Sequence, residues 1–201
     1  MRAIAQRQDI RDLILDGVDV LLARYGYKKM TMEDLAQVVG IGKGTIYLHF
    51  PSKEEVTLSH IDRIVDRLVA ELNRIAGGSA PVTEKIREML VTRVLFRFDR
   101  VRHYSQNLND LLSSLRVALM SRRDNHFLQE AKVFYDVLQA GKRNGELYFR
   151  NAHATSHALI QATNSFLPYS LTTRELGKRR AVEENVSQIA ELLLHGITHQ
   201  K

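Results

Sequence analysis

The stretch Thr31-Met-Glu-Asp-Leu-Ala-Gln-Val-Val-Gly40-Ile-Gly-Lys-Gly-Thr-Ile-Tyr-Leu-His-Phe50 decides how this chain folds. Thr31 offers its hydroxyl as a helix N-cap, and Asp34 three residues on completes a capping-box pattern. The short helix opened there runs to about Val39, where Gly40-Ile41-Gly42 makes a tight turn. A second short helix spans about Lys43 to Phe50, and Pro51 closes it by biasing its predecessor out of helical geometry. Two short helices joined by about four residues with glycine in the turn have helix-turn-helix dimensions. The crossing needs a small residue where the helices touch, a turn residue that tolerates positive φ, and an apolar anchor on the second helix. Ala36, Gly40 and Ile46 supply these.

At about 100° per residue, Ile46 and Phe50 share the inward face of the second helix. The opposite arc presents Gly44, Thr45, Tyr47 and Leu48. Gly44 has no side chain to hold the backbone away from a partner, Thr45 and Tyr47 offer hydroxyls to phosphates or base edges, and Leu48 suits a thymine methyl. Lys43, His49 and Lys53 add charge-assisted phosphate contacts, and the amides at Ser52–Lys53 form a helix N-terminus that attracts anions. Gly42 to Lys53 contains no acidic residue. Double-stranded DNA is therefore the expected partner of this face.

Outward from the motif the pattern stays helical. Ile10, Leu13, Ile14, Gly17, Val18, Leu21, Leu22 and Tyr25 recur at i, i+3, i+4 and i+7, and Gly26 stands where a left-handed C-cap is expected. Ser52 with Glu55 opens a longer helix to about Ile75, and the breaker-rich Ala76-Gly-Gly-Ser-Ala-Pro81 follows. Further helices are expected at roughly 83–101, 105–120, 124–143, 151–167 and 178–197, with breaks at Gly145 and near Pro168. No strand alternation appears, so the fold class is all-α.

Composition fits this picture. The 201 residues are 44% hydrophobic and 26% charged, with 11 Gly and 3 Pro, which excludes disorder and collagen-like structure. No run approaches the roughly 20 apolar residues of a membrane span, and Met1–Gln8 lacks the apolar run of a secretory signal, so a cytoplasmic chain is expected. The absence of cysteine removes thiolate nucleophiles, disulfides and Cys-ligated zinc. No nucleophile–base pair, phosphate loop or carboxylate pair stands out, so neither an enzyme nor a cofactor is expected. The net charge is +6, yet the residues up to Glu55 balance eight basic against eight acidic. The excess lies beyond them, densest from Met89 to Arg123.

The sequence Gly40-Ile-Gly-Lys-Gly-Thr-Ile-Tyr-Leu-His-Phe-Pro-Ser-Lys-Glu-Glu55, preceded by Thr31 to Val39, resembles the DNA-binding signature of TetR-family transcriptional regulators. The resemblance covers Asp9 to about Leu58. It implies a homodimeric repressor with a helix-turn-helix DNA-binding domain over 1–52 and a helical effector-binding and dimerisation domain over 53–201. By the same resemblance Thr31, Lys43, Thr45, Tyr47, His49 and Lys53 fall at DNA-contacting positions, and the last two helices form the dimer interface. Glu33 occupies a position that can face DNA, where a carboxylate would read a cytosine amino group or point away rather than bind phosphate. A small-molecule effector, anionic or hydrophobic, is expected to release the dimer from a palindromic operator. A protein partner in place of that effector is the alternative.

Several features carry two readings. Arg93, Arg97 and Arg100 on the helix after the linker read first as a solvated face. The sharper reading lets one or two of them anchor an anionic effector beside Phe96, Tyr104, Phe127 or Phe134. Val182, Val186, Ile189, Leu193 and Ile197, with the small stripe Ala154, Ala158 and Ala162, read either as core or as a symmetric interface, and the interface is preferred. His153 and His157 have a metal-site spacing but lack the adjoining Glu, so no metal is expected. His195 and His199 repeat that spacing where histidine ordinarily complements a helix dipole.

Overall fold

The structure is a computed structural model, and it describes residues 2–102, 108–167 and 177–198. Tyr104, His199 and the break expected near Pro168 lie outside the described residues. Eight α-helices follow in chain order: α1 (Arg2–Lys29), α2 (Met32–Val39), α3 (Lys43–His49), α4 (Lys53–Ala76), α5 (Val82–Arg102), α6 (Leu108–Arg143), α7 (Ala152–Ala162) and α8 (Arg179–His195). A short 3₁₀ turn, Asn164–Phe166, follows α7. Among the described residues the only β pairing is the isolated antiparallel bridge between Leu147 and Thr198. The all-α expectation holds.

The chain divides into two compact units. The first gathers the described residues up to Ile64 and the opening of α6 up to Ser121. Its core is the apolar stripe of α1 (Ile14, Leu15, Val18, Leu21, Leu22) packed with Leu35 of α2, Ile46 of α3, Phe50, Val56 of α4, and Leu111, Leu115 and Leu119 of α6. Burying side chains of this kind stabilises by about 1.5–3 kcal/mol each. Gly17 lets α1 and α2 approach closely, since a Cβ there would stand 2.5 Å from Val39 Cγ2 and 3.0 Å from Leu35 Cδ1. Gly26 takes φ 72°, ending the regular part of α1 where the sequence places its cap.

The helix-turn-helix forms for the reasons its sequence gives. Asp34 N–H donates to Thr31 Oγ1 at 3.1 Å, and Thr31 N–H donates back to Asp34 Oδ2 at 3.0 Å. Gly40 is left-handed at φ 74°, and its N–H donates to the Ala36 carbonyl at 2.9 Å. Phe50 is extended (φ −140°, ψ 116°), as a residue before proline should be. The Glu55 amide donates to Ser52 Oγ at 3.0 Å, opening α4.

The second unit comprises the described residues from Val65 to the end of α5 and from Arg122 onward. Leu68 and Leu72 of α4, Ile86 and Leu90 of α5, Phe134 and Leu138 of α6, Leu159 of α7 and Ala190 of α8 make its core.

Three sequence expectations need correction here. The helices expected at 105–120 and 124–143 are one helix over the described range, because Ser121-Arg-Arg-Asp124 is polar but holds no residue that interrupts helical hydrogen bonding. The helix expected at 151–167 ends at Ala162, where Thr163 Oγ1 donates to the backbone carbonyls of Leu159 and Ile160 and the chain tightens into the 3₁₀ turn. The stripe of the last helix faces inward: Val182 and Val186 are buried, and α8 packs along α5.

Candidate nucleic-acid interface

In α3 the inward and outward faces separate as the sequence requires. Ile46 is fully buried and Phe50 nearly so, while Tyr47 is 46% and Leu48 78% exposed. Gly44 and Lys43 are exposed, and Thr45 and His49 are half-buried. A Cβ built on Gly44 would meet nothing within 4 Å, so the fold does not require glycine there. The outward arc thus joins an exposed aromatic hydroxyl, an exposed apolar side chain and a bare stretch of backbone.

The charged members of the site have partners inside the protein. Lys43 Nζ donates to Glu33 Oε2 across the two helices, and that hydrogen bond and charge push the Lys43 ammonium pKa up. Glu33, its side chain 63% exposed, thus pairs with the first residue of α3. Lys53 Nζ donates to the Tyr27 carbonyl at 3.1 Å and to the Lys28 carbonyl at 3.4 Å, and sits 4.5 Å from the centre of the Tyr27 ring. Its ammonium serves the carboxyl end of α1, where a cation complements the helix dipole. The Thr31 hydroxyl works as the N-cap and also donates to Asp34 Oδ2 at 2.7 Å. The structure thus brings Lys43, Gly44, Thr45, Tyr47, Leu48 and His49 together on one short helix, with Thr31 and Lys53 at the starts of the two flanking helices.

Sequence reasoning passed over Arg11. Its Nη1 donates to the His49 carbonyl at 3.2 Å, and its guanidinium lies 4.3 Å from the centre of the Phe50 ring. It passed over the join between α1 and α4 as well. Arg63 Nη1 donates to the Asp12 carbonyl at 3.0 Å and Nη2 to Asp16 Oδ1 at 2.8 Å, and His60 Nε2 lies 3.3 Å from Asp19. The acidic row Asp12, Asp16 and Asp19 at helical spacing was the available signal for that join.

Two of the effector candidates of the second unit lie differently from the solvated-face reading. Arg93 is fully buried and Arg97 is 4% exposed, so neither belongs to a solvated face. Both hold Glu130, itself fully buried: Arg93 Nε donates to Glu130 Oε2 at 2.6 Å, and Arg97 donates through Nη2 to Oε1 at 2.5 Å and through Nη1 to Oε2 at 3.2 Å. Arg93 also donates to Thr163 Oγ1 at 2.7 Å and to Asn164 Oδ1 at 2.6 Å, and faces the Phe127 ring at 5.2 Å. Burial alone would push the Glu130 carboxyl pKa up, but the charges and hydrogen bonds of Arg97 and Arg93 outweigh it and hold it below the ordinary value. Phe134 is buried within the unit's core, and Arg100 sits 5.7 Å from the Phe96 ring. An open cleft of about 350 Å³ between α6 and α7 is lined by Leu128, Tyr135, Asp136, Ser156, His153 and His157, and His153 stacks on Tyr135 at 4.3 Å. Among the described residues no three His, Cys, Asp or Glu side chains cluster as metal ligands, and no helix is long and apolar enough to cross a membrane.

Comparison with known proteins agrees with this geometry. Residues 14–59 match the sequence model of the family described as bacterial regulatory proteins, tetR family. The HTH-type transcriptional repressor KstR2 of Mycobacterium tuberculosis is 27% identical over 156 residues, covering 74% of each chain. A transcriptional regulator from Cytophaga hutchinsonii superposes with a TM-score of 0.78 at 20% identity over 94% of this chain and 98% of its own. The regulator FadR of Bacillus subtilis, solved in complex with stearoyl-CoA, gives 0.69 at 15% identity over 92% and 97%. The two structural likenesses speak for the fold. Together with the matched motif and its related repressor, the capped helix-turn-helix identifies residues 14–59 as a domain of the bacterial regulatory proteins, tetR family.

Proposed function

We propose that this protein is a dimeric repressor that places α3 in the major groove of a palindromic operator and leaves it when a small molecule binds the second unit. The observation that carries the DNA reading is the outward arc of α3, where Tyr47 and Leu48 project beside the open backbone of Gly44 in a run without acidic residues. In this reading residues 1–52 are the DNA-binding domain and 53–201 the effector and dimerisation domain. Thr45, Tyr47 and Leu48 meet base edges or sugars, and Lys43, His49, Lys53 and Thr31 meet phosphates. Two α3 helices about 34–36 Å apart, or a multiple of it, fit successive major grooves.

The dimer forms through α7 and α8, where the small residues Ala154 and Ala158 and the 69% exposed Leu192 remain outward. The effector reading draws support from FadR, whose structure holds stearoyl-CoA, and from the arginine- and phenylalanine-rich interior around Phe96 and Phe127. An effector that discriminates between the two dimer states contributes about 1–3 kcal/mol of coupling.

Selection of binding sites from random duplex DNA, followed by anisotropy titration at several salt concentrations, tests this function. A palindromic consensus is expected. With Lys43 and Lys53 as the two phosphate-neutralising cations in each half of the dimer, log K should fall against log salt with a slope of about −3.6. Recovery of no preferred sequence, or binding indifferent to salt, would contradict the proposal.

A further inference from the structure

We infer that Arg11 of α1 is a positioning residue for DNA binding: it fixes the carboxyl end of α3, and through that end the angle at which Tyr47 and Leu48 are presented. The inference rests on the DNA-binding reading above and adds a residue outside Thr31–Glu55, the stretch that carries the motif.

The need for such a residue follows from α3 itself. It has seven residues, and its N-cap, Gly42, makes no side-chain cap hydrogen bond. A helix that short does not hold itself together in water, so its orientation depends on what packs against it. Its last carbonyls have no partner within the helix and carry the negative end of its dipole. The burial of Ile46 and Phe50 fixes one face. Arg11 fixes the end: the same guanidinium that donates to the His49 carbonyl at 3.2 Å lies over the Phe50 ring at 4.3 Å. A planar cation with several donors can serve the carbonyl and the ring at once, which an ammonium cannot. Tyr47 and Leu48 lie two residues and one residue before His49, so a tilt at this end displaces both from the DNA. Sites of this kind tolerate displacements of only about 0.5 Å before binding suffers. Arg11 is half-buried and 38 residues from His49 in sequence, so the contact exists only in the folded unit.

The test uses the full chain with Arg11→Met, which keeps the length of the stem but removes donors and charge, and Arg11→Lys, which keeps the charge and one donor. Amide hydrogen exchange is measured without DNA, and affinity for the selected sequence is measured across salt. Arg11→Met is expected to speed exchange from Ile46 to Phe50 while leaving α2 unchanged. It should weaken DNA binding roughly 10- to 100-fold, the scale of one charge-assisted hydrogen bond, with the salt slope unaltered. Arg11→Lys should recover part of both losses. A slope that falls by about 0.9 per protomer in Arg11→Met would make Arg11 a phosphate contact and overturn the inference. Unchanged exchange across α3 would overturn it as well. Should wild-type protein bind no DNA, the DNA-binding reading fails, and the exchange data still decide whether Arg11 holds α3.

Discussion

Glu130→Ala is expected to destabilise the protein by about 3–5 kcal/mol, read as a lower midpoint in urea denaturation at neutral pH. The carboxylate is fully buried between Arg93 and Arg97, themselves at most 4% exposed, and supplies the acceptor for three of their hydrogen bonds. Removing it takes from two buried guanidinium groups the carboxylate that accepts three of their hydrogen bonds, and breaking a buried charge cluster at one member is far costlier than the intact group is favourable. Replacing all three together, as Arg93→Met, Arg97→Met and Glu130→Leu, should cost less than the single change, because the two buried cations leave with the carboxylate that balanced them. A loss under about 1 kcal/mol for Glu130→Ala would mean that the cluster is hydrated and not sealed.

The same carboxyl sets a pH dependence of definite sign. Its folded pKa lies below the ordinary glutamate value, so its contribution to stability is fully present above about pH 4.3 and is lost as pH falls through the folded pKa. Denaturation midpoints for wild type should therefore fall in acid more steeply than those of the triple variant.

Substitution of Gly44 separates folding from binding. A Cβ there meets nothing in the protein, and glycine within a helix costs about 0.5–1 kcal/mol relative to alanine. Gly44→Ala should therefore raise the melting temperature by a few degrees. Gly44→Leu should leave the fold intact and weaken DNA binding by about 10- to 100-fold, since a side chain of that size holds the α3 backbone off the groove. If Gly44→Leu bound DNA as wild type does, that part of α3 would not approach the DNA.

The helix-turn-helix was legible because its determinants are local. Thr31 with Asp34, Gly40 before the turn and Pro51 after it act within four residues of themselves, and each does in the structure what its side chain and backbone dictate. The second unit was less legible because its decisive contacts are distant in sequence. Arg93 and Arg97 lie at helical spacing from Ile86 and Leu90, and Glu130 from Phe134, so the register already put all three charges on buried stripes. Charge argued for solvent, and only the meeting of α5 with α6 shows how the charges cancel. Arg11 was missed for a similar reason: its partner is a backbone carbonyl, which no sequence pattern marks. The join at Ser121–Asp124 failed in the opposite sense, because a polar cluster resembles a break only when helical continuity is not weighed.

The central claim, that the outward face of α3 reads DNA, is tested most directly by the affinity of a Thr45→Ala, Tyr47→Ala double variant for the selected palindrome and for random duplex of equal length. Both side chains lie outside the buried core of their unit, so thermal stability should stay within a degree or two of wild type. Specific binding is expected to fall by about 100-fold or more while the weak binding to random duplex is nearly retained. Undiminished affinity for the palindrome in a folded double variant would contradict that claim.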